Sequence, residues 1–477
     1  MAGSKAPSVH NSLEKRPSSE RVEEASEKGE QVYDFGGDST LPPPPDITPE
    51  EEARIWRKVD LKLMPILTLM YLASFLDREQ LHLTGNKYNI ALTMFFIPYC
   101  LFECPANLVL KKFRPSRYPQ LVAVRVCLGV TEAGLFPGVV YYLSMWYPRH
   151  MLMFRVGLFY GGASVAGAFS GLLAFGISFM SGTDGLLGWS WIFILEGCAT
   201  ICVGILAAFL LVDFPATAKF LTLEERAYVI HKKKYDNSSV GEEEHFEMRH
   251  LISALLDWQV WLHILIYMSI IGPVYGISPF LPSIINGFGF NTTTSQLLTV
   301  PPYVFATIVL LIFAIWSDRI KKRSPFILAG LTLCAIGFGI NVSNAPIGVK
   351  YFGTFFAVAG SYAAFPAIVC WLGNNLAGQY KRGVGMALHI GIGNFSGAIA
   401  SNIYRTQDAP RYILGHGLEL MFVGIGFVTV PMAILIYTRI NKKRDLLEAE
   451  MAANGTKLSA AEIRRLGDRA PDFRYTL

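Results

Sequence analysis

Long apolar segments recur along most of this chain and constrain its fold more than any other feature. Runs of about 20 apolar residues, enough to cross a bilayer as a helix, follow one another from Leu61 nearly to Arg439. Charged residues make up only 17% of the 477 residues, whereas a soluble domain carries about 25%. The sequence therefore predicts an all-α protein with many membrane spans.

Eleven segments are apolar enough to be spanning helices. They cover residues 61–78, 88–110, 121–147, 153–180, 189–215, 258–286, 296–316, 326–345, 349–372, 383–405 and 416–438. A polar stretch at 216–257 separates the first five from the last six. This arrangement predicts two bundles joined by a linker, as in transporters built from two related halves.

These patterns divide the chain into five parts. We expect a disordered cytosolic tail at 1–50, because it is polar and mixed in charge. An N-terminal bundle at 51–215, a cytosolic linker at 216–257, a C-terminal bundle at 258–438 and a cytosolic tail at 439–477 follow. Thr48 and Glu51 have the spacing of a capping box, which predicts a short helix leading into the membrane.

The net charge of +5 lies mostly in short loops such as Lys111–Arg114 and Lys321–Arg323. Such loops mark the cytosolic side of a membrane protein, so we interpret this charge as topology and not as nucleic-acid binding. The linker, the Lys321 loop and the basic segment at Asn441–Arg444 are separated by two and then four spans. An even number of spans predicts that all three, and with them the C-terminal tail, are cytosolic; the N-terminal tail is expected on the same side from its composition.

The same count does not fit the first half of the chain. Three spans separate the Lys111 loop from the linker, and an odd number would place these two basic segments on opposite sides. Only residues 118–120 stand between Arg117 and the next apolar run. The sequence therefore predicts that a spanning segment is absent at this point.

Several motifs of this chain resemble those of the anion:cation symporters of the major facilitator superfamily, especially the fungal allantoate, nicotinate and vitamin permeases. They are Phe75–Arg78, Leu83–Leu92, Val124–Gly138, Tyr141–Pro148, Trp191–Gly197 and Pro471–Tyr475. The resemblance implies two six-helix halves. Against that pattern the chain lacks the residues between Arg78 and Leu83 that finish helix 1, and those between Arg117 and Tyr118 that form helix 3.

Ionisable residues inside spans are costly and often mark a substrate or proton path. Asp77 adjoins Arg78 on the first span, and Arg125 and Glu132 lie seven residues apart on another. The resemblance implies that Arg78 and Arg125 bind an anionic substrate, and that Asp77 and Glu132 take up a coupling proton. The alternatives are a charge pair at a helix end for Asp77 and Arg78, and a buried ion pair for Arg125 and Glu132.

The remaining candidate residues are not charged pairs within one span. Tyr275, beside a Gly272-Pro273 kink, and Asn394 are predicted to contact substrate, with core packing as the alternative. Asp318 and Arg319, with the basic residues Lys321, Lys322 and Arg323, match the superfamily's gating loop, where charges hold helix ends together in one access state. Glu196 is expected to be structural, and His263 and His389 to be satisfied buried histidines or, less favoured, proton relays.

These observations predict a proton-coupled symporter of a small organic carboxylate, of the nicotinate, pantothenate or allantoate type. We expect a monomer in the plasma membrane without cofactor or metal. The seven cysteines lie in apolar stretches, and no nucleophile, metal or phosphate motif suggests an enzyme. The absent segment leaves one alternative: a non-transporting truncated isoform that acts as a nutrient receptor or regulatory partner.

Overall fold

The computed structural model describes residues 47–79, 132, 134–180, 182–185, 188–212, 215–234, 236, 248–455, 458–459, 462–463 and 466–477. Arg125 and the predicted gap after Arg117 lie outside these residues. The backbone of Asp77 and Arg78 is helical, but their side chains are also outside the description.

The described residues form fifteen α-helices joined by turns and short 3-10 segments. They are α1 (Pro49–Glu79), α2 (Leu135–Trp146), α3 (Leu152–Ser178), α4 (Gly188–Leu210), α5 (Leu223–Lys234), α6 (Met248–Leu255), α7 (Trp258–Ile277), α8 (Leu281–Asn286), α9 (Thr292–Leu297), α10 (Val300–Ile320), α11 (Ser324–Val342), α12 (Ile347–Asn375), α13 (Gln379–Gly393), α14 (Phe395–Ala400) and α15 (Ile413–Ala453).

Within this part of the chain, eight stretches are long and apolar enough to span a membrane. They are Pro49–Leu76, Leu152–Leu173, Trp258–Ile277, Thr294–Ile320, Ser324–Val342, Ile347–Asn375, Tyr380–Ala400 and Ile413–Ala453. The last six give the C-terminal bundle its six spans. For the N-terminal half, the shortened helix 1 and the absent helix 3 stay predictions, since residues 80–131 are not described.

The first helix confirms one prediction and corrects another. The capping box is present, because Thr48 Oγ1 accepts from the Glu51 amide at 3.3 Å and Glu51 Oε2 accepts from the Thr48 amide at 3.0 Å. The prediction of a short lead-in helix was wrong: α1 continues for 31 residues, through Pro65. Buried side chains recur every four residues at Ile55, Val59 and Leu63, so one packed face carries the helix into the membrane without a break.

Three predicted segments differ from the helices that form. The segment at 258–286 divides into α7 and α8, with Pro282 in the first turn of the new helix, where its missing N–H is no loss. The segment at 383–405 divides at Asn394. The segment at 416–438 belongs to α15, whose 41 residues run 15 residues further, to Ala453.

The two bundles meet mainly through α3, which packs along α10 and also touches α9 and α12. The hydroxyls of Ser164 on α3 and Thr307 on α10 lie 2.8 Å apart. In the C-terminal bundle, α11 packs closely on α12 at Gly330 and Gly360. A Cβ on Gly330 would lie 2.9 Å from the Gly360 carbonyl oxygen and 2.5 Å from the Cβ of Ala364. Small residues allow this approach of two backbones.

We expect Gly330→Val to push α11 away from α12 and to lower stability by about 1–3 kcal/mol, the usual cost of overpacking. Gly339→Val is the matched control on the same helix, because a Cβ there meets nothing within 4 Å. Thermal unfolding of the two variants in detergent measures the difference. Equal unfolding temperatures would contradict the close α11–α12 contact.

Candidate functional site

One end of the bundle collects cations, and we call it the basic end: Arg149, Arg323, Lys381 and Arg444. Arg323, Lys381 and Arg444 are buried, with 1%, 5% and 8% exposure. The linker, the Lys321 loop and the segment after Asn441 all lie at this end, because Lys381 contacts Asp257 and the Arg323 amide donates to the Leu477 carbonyl. The sequence predicted that these three segments share one side, and the structure confirms that they share one end.

Asp318 joins the two halves at the basic end. Its carboxylate accepts from the Phe154 amide in the first turn of α3, at 2.8 Å, where a helix N-terminus favours a negative charge. Arg323 Nη2 lies 2.7 Å from Asp318 Oδ1 and donates to the Arg149 carbonyl at 2.9 Å. Arg319, the other predicted gating residue, is exposed. The ion pair of Asp318 is therefore with Arg323.

Asp60 and Arg155 pair within the N-terminal half. Arg155 donates through Nε and Nη2 to the two carboxylate oxygens at 3.0 and 2.7 Å, the fork geometry of a strong guanidinium–carboxylate pair. Tyr147 donates to the same carboxylate at 2.8 Å. Tyr147 thereby ties α2 to α1 and, through Asp60 and Arg155, to α3.

The linker is anchored by Asp236. Its carboxylate accepts from the Arg149 amide at 2.7 Å and lies 3.8 Å from His150 Nδ1. Burial alone raises the pKa of Asp236, but the hydrogen bonds from His150 and the Arg149 amide outweigh burial and lower the pKa to about 2. The carboxylate is therefore ionised throughout the physiological pH range.

The last residues of the chain dock into the basic end. Trp371 Nε1 donates to the Thr476 carbonyl at 2.8 Å, and Asn375 Oδ1 accepts from the Thr476 amide at 2.8 Å. The Phe473 ring lies 5.5 Å from the guanidinium of Arg149, which belongs to the other half. The predicted tail at 439–477 thus includes a segment, 466–477, that bridges both bundles.

A buried charge cluster holds this segment in place. Lys381 Nζ lies 2.6 Å from Asp257 and 2.7 Å from Asp468, and all three side chains are at most 6% exposed. Gln259 Nε2 donates to Asp468 at 3.0 Å. Each carboxylate depends on the same ammonium, because an uncompensated buried charge is strongly destabilising.

We expect Lys381→Met to lower stability by about 3–5 kcal/mol, since it leaves two buried carboxylates without their cation. Lys58→Met is the matched control: Lys58 pairs with Glu225 but is 42% exposed, and exposed pairs contribute only about 0–1 kcal/mol. Thermal unfolding in detergent measures both. Asp257→Asn and Asp468→Asn added to Lys381→Met should restore most of the loss, and no recovery would argue against the charge explanation.

Aromatic rings fill the middle of the molecule where the halves meet. This central aromatic cluster, buried throughout, comprises Tyr71, Phe75, Phe136, Phe159, Tyr160, Tyr267, Tyr303, Tyr362 and Phe365. Tyr160 and Phe136, from the N-terminal half, lie 4.3 and 5.3 Å from Phe365 of the other half. The Ser278 hydroxyl contacts those of Tyr303, at 3.1 Å, and Tyr362.

The predicted substrate and proton residues border this cluster to different degrees. Asn394 is buried, and its Oδ1 accepts from the Tyr267 hydroxyl at 3.0 Å. Glu132 is 8% exposed and precedes Phe136 of the cluster by four residues. Asp77 and Arg78 follow Phe75 at the end of α1.

Tyr275 lies on α7, half-buried, and packs against the core. The structure therefore brings Asn394 to the cluster by direct contact. For Glu132, Asp77 and Arg78 it shows only a position near Phe136 or Phe75 along the chain. Arg125 lies outside the described residues.

The two histidines form part of a buried polar chain in the C-terminal bundle. His263 Nε2 lies 2.9 Å from the Tyr437 hydroxyl, and His389 Nε2 lies 3.0 Å from the His263 carbonyl oxygen. Tyr437 in turn donates to Gln259 at 3.1 Å. One nitrogen of each ring is thus paired, whereas Nδ1 of both rings has no hydrogen-bond partner among the described residues. The prediction of satisfied buried histidines therefore holds for only one nitrogen of each ring.

Sequence reasoning missed Glu419 on α15. It is fully buried, and neither carboxylate oxygen has a hydrogen-bond partner in the described part of the chain. The signal was available, because Glu419 is a single carboxylate within an apolar span. The rule that singled out Glu132 also applies to it.

The fold and these contacts agree with comparisons to known proteins. Residues 108–401 match the model of the Major Facilitator Superfamily. The chain is 32% identical over 89% of its length to the MFS-type transporter cnsO of Penicillium expansum, covering 90% of that protein. It is 31% identical over 89% of its length to the high-affinity nicotinic acid transporter of Saccharomyces cerevisiae, covering 85% of it.

Among solved structures, the outward conformation of the transporter FucP superposes with a TM-score of 0.58 at 12% identity, over 80% of this chain and 99% of that one. The fold is thus that of a membrane transporter with two helical bundles. The chain belongs to the Major Facilitator Superfamily.

Proposed function

We propose that this protein is a proton-coupled symporter of small organic carboxylates, in the fungal branch of allantoate, nicotinate and vitamin permeases. The observation that carries the proposal is the similarity over 89% of the chain to a transporter of nicotinic acid. The contact of Asn394 with a buried aromatic cluster between the halves supports it, because facilitator-type carriers bind substrate where their halves meet.

Arg78 and Arg125 are proposed to bind the carboxylate of the substrate. A guanidinium stays charged at all relevant pH values and offers paired donors that match the two oxygens of a carboxylate. The rings of the central aromatic cluster provide flat apolar walls for the rest of a planar substrate. Asn394 and Tyr275 add polar and aromatic contacts from the C-terminal half.

Asp77 and Glu132 are proposed to take up the coupling proton. Asp77 directly precedes Arg78, and Glu132 lies seven residues after Arg125. A carboxylate beside an arginine has a low proton affinity, which rises when an anionic substrate occupies the arginine. Substrate binding therefore favours proton binding, and the two move together.

The basic end is proposed to face the cytosol, as expected from the positive-inside rule, with both termini on that side. Opening this end separates Asp318 from the first turn of α3 and Arg323 from the Arg149 carbonyl. Segment 466–477 must detach from one of the two bundles in the same step, because it contacts Arg149 in one half and Trp371 in the other.

Proteoliposomes under an inward acid gradient should accumulate labelled nicotinate or a related carboxylate. We expect Arg125→Ala to abolish the accumulation, because the anion loses its counter-charge. Arg405→Ala is the matched control, since Arg405 pairs with the neighbouring Asp408 and is 45% exposed. Unchanged uptake by the Arg125 variant would refute its role in binding.

A second test separates the two gating candidates. We expect Arg323→Gln to weaken closure of the basic end and to speed thiol labelling of Cys370, which is fully buried on α12. Arg319→Gln should leave labelling unchanged, since Arg319 is exposed. Site-resolved mass spectrometry after maleimide treatment follows Cys370 alone. Faster labelling in the Arg319 variant instead would assign the latch to Asp318 and Arg319, as the sequence suggested.

The second candidate function is a truncated isoform that senses nutrients without transporting them. It is motivated by the three residues that separate Arg117 from the next apolar run, where a span is expected. Sequencing of transcripts decides whether this form is made. A translated short form that binds a carboxylate but gives no uptake would favour the receptor.

A further inference from the structure

Glu419 differs from the other buried ionisable groups described above. Asp257, Asp468, Arg323 and Lys381 each have an ionic partner, whereas both oxygens of Glu419 lack a hydrogen-bond partner among the described residues. Its side chain is fully buried. The residue lies on α15, toward the end of the bundle opposite the basic end.

The Glu419 carboxyl lies directly against the backbone of α7. Its Oε1 lies 1.6 Å from the position that a Cβ of residue 276 would occupy, so only glycine leaves room for it there. One turn earlier on α7, the Phe422 ring of α15 covers Gly272, 3.0 Å from the Cβ position. The two helices are therefore in close contact at the carboxyl and one turn away from it.

The titratable groups that face Glu419 give it no fixed positive charge. Cys334 on α11 and the buried Tyr404 both interact electrostatically with it. On its own helix, His416 lies one turn away and is 2% exposed, with Nδ1 2.9 Å from the Tyr404 hydroxyl. Tyr275, the neighbour of Gly276 on α7, packs on the cluster that contains Tyr404. Lys350 on α12 interacts electrostatically with His416.

An ionised carboxylate in such a site would be unfavourable, because it would lose its hydration without gaining a cation or hydrogen-bond donors. The neutral acid also loses hydrogen bonds to water, but its penalty is much smaller than that of the charged form. Glu419 can therefore lose its proton only if α7 and α15 separate far enough to admit water or a cation.

We propose that Glu419 is a proton-binding site of the transport cycle, loaded when α7 and α15 are in contact and discharged when they separate. This inference rests on the proposed proton coupling and adds a site in the C-terminal half to Asp77 and Glu132. Because Gly276 adjoins Tyr275, the proton on Glu419 controls the position of the helix segment that carries a proposed substrate residue. Substrate and proton are thereby linked through α7.

The test compares gradient-driven accumulation with exchange of labelled for unlabelled nicotinate at equal pH, in proteoliposomes. One coupled proton supports about tenfold accumulation per unit of pH gradient. Glu419→Gln retains the shape of the neutral acid but cannot release a proton. We expect this variant to keep exchange and to lose the accumulation. Glu196→Gln, which changes another buried carboxylate within a span, should retain both.

The outcomes separate this inference from the proposed function. If the wild-type protein exchanges nicotinate but never accumulates it under a pH gradient, proton coupling itself is wrong. If the wild type accumulates nicotinate and Glu419→Gln accumulates it equally well, the coupling stands and the role of Glu419 is refuted.

Infrared spectroscopy provides a second measurement that does not depend on transport by the glutamine variant. The purified wild-type protein should show a carbonyl band of a protonated carboxylic acid at neutral pH. Glu419→Asp should shift that band, and Glu419→Gln should remove it. A wild-type spectrum without such a band, or a band unchanged in both variants, would overturn the proposal.

Discussion

The pairing of buried charges at the basic end is the interaction on which the rest of the structure depends. Arg323 and Lys381 are almost completely buried, and such cations persist only where carboxylates and carbonyl oxygens surround them. Their partners come from both bundles, from the linker and from the last residues of the chain. This end is therefore held closed by a single network of contacts, which joins the two bundles, the linker and segment 466–477.

That network also gives the molecule an asymmetry along its long axis. At the basic end, polar groups satisfy one another across the interface, and in the middle the halves meet through aromatic rings with few hydrogen bonds. Aromatic contacts of this kind hold the two halves together with less directional specificity than paired charges do. A carrier that alternates between two accesses requires this difference, because the ends must latch while the centre admits substrate.

The spacing of Thr48 and Glu51 predicted the capping box, and apolar periodicity was enough to predict the six spans of the C-terminal half, because each of these features is encoded in neighbouring residues. They did not predict the continuity of α1 or the division at Asn394, which depend on what the helices pack against. The candidate site shows the same limit. The motif singled out Asp318 and the basic residues after it, but it did not show that Arg323 is the one that pairs with Asp318. The contact between Lys381 and Asp468 joins residues 87 positions apart.

Glu419 shows where local reasoning and packing must be combined. The sequence marks it as a carboxylate in an apolar span, which alone does not distinguish a lipid-facing end from a bundle interior. Gly276 shows that Glu419 faces the bundle interior, because only a residue without a side chain lets the carboxyl lie against α7. A group that is neutral in contact and charged when exposed makes the proximity of two helices depend on a proton. In this fold, such a dependence allows a chemical gradient to bias a mechanical movement.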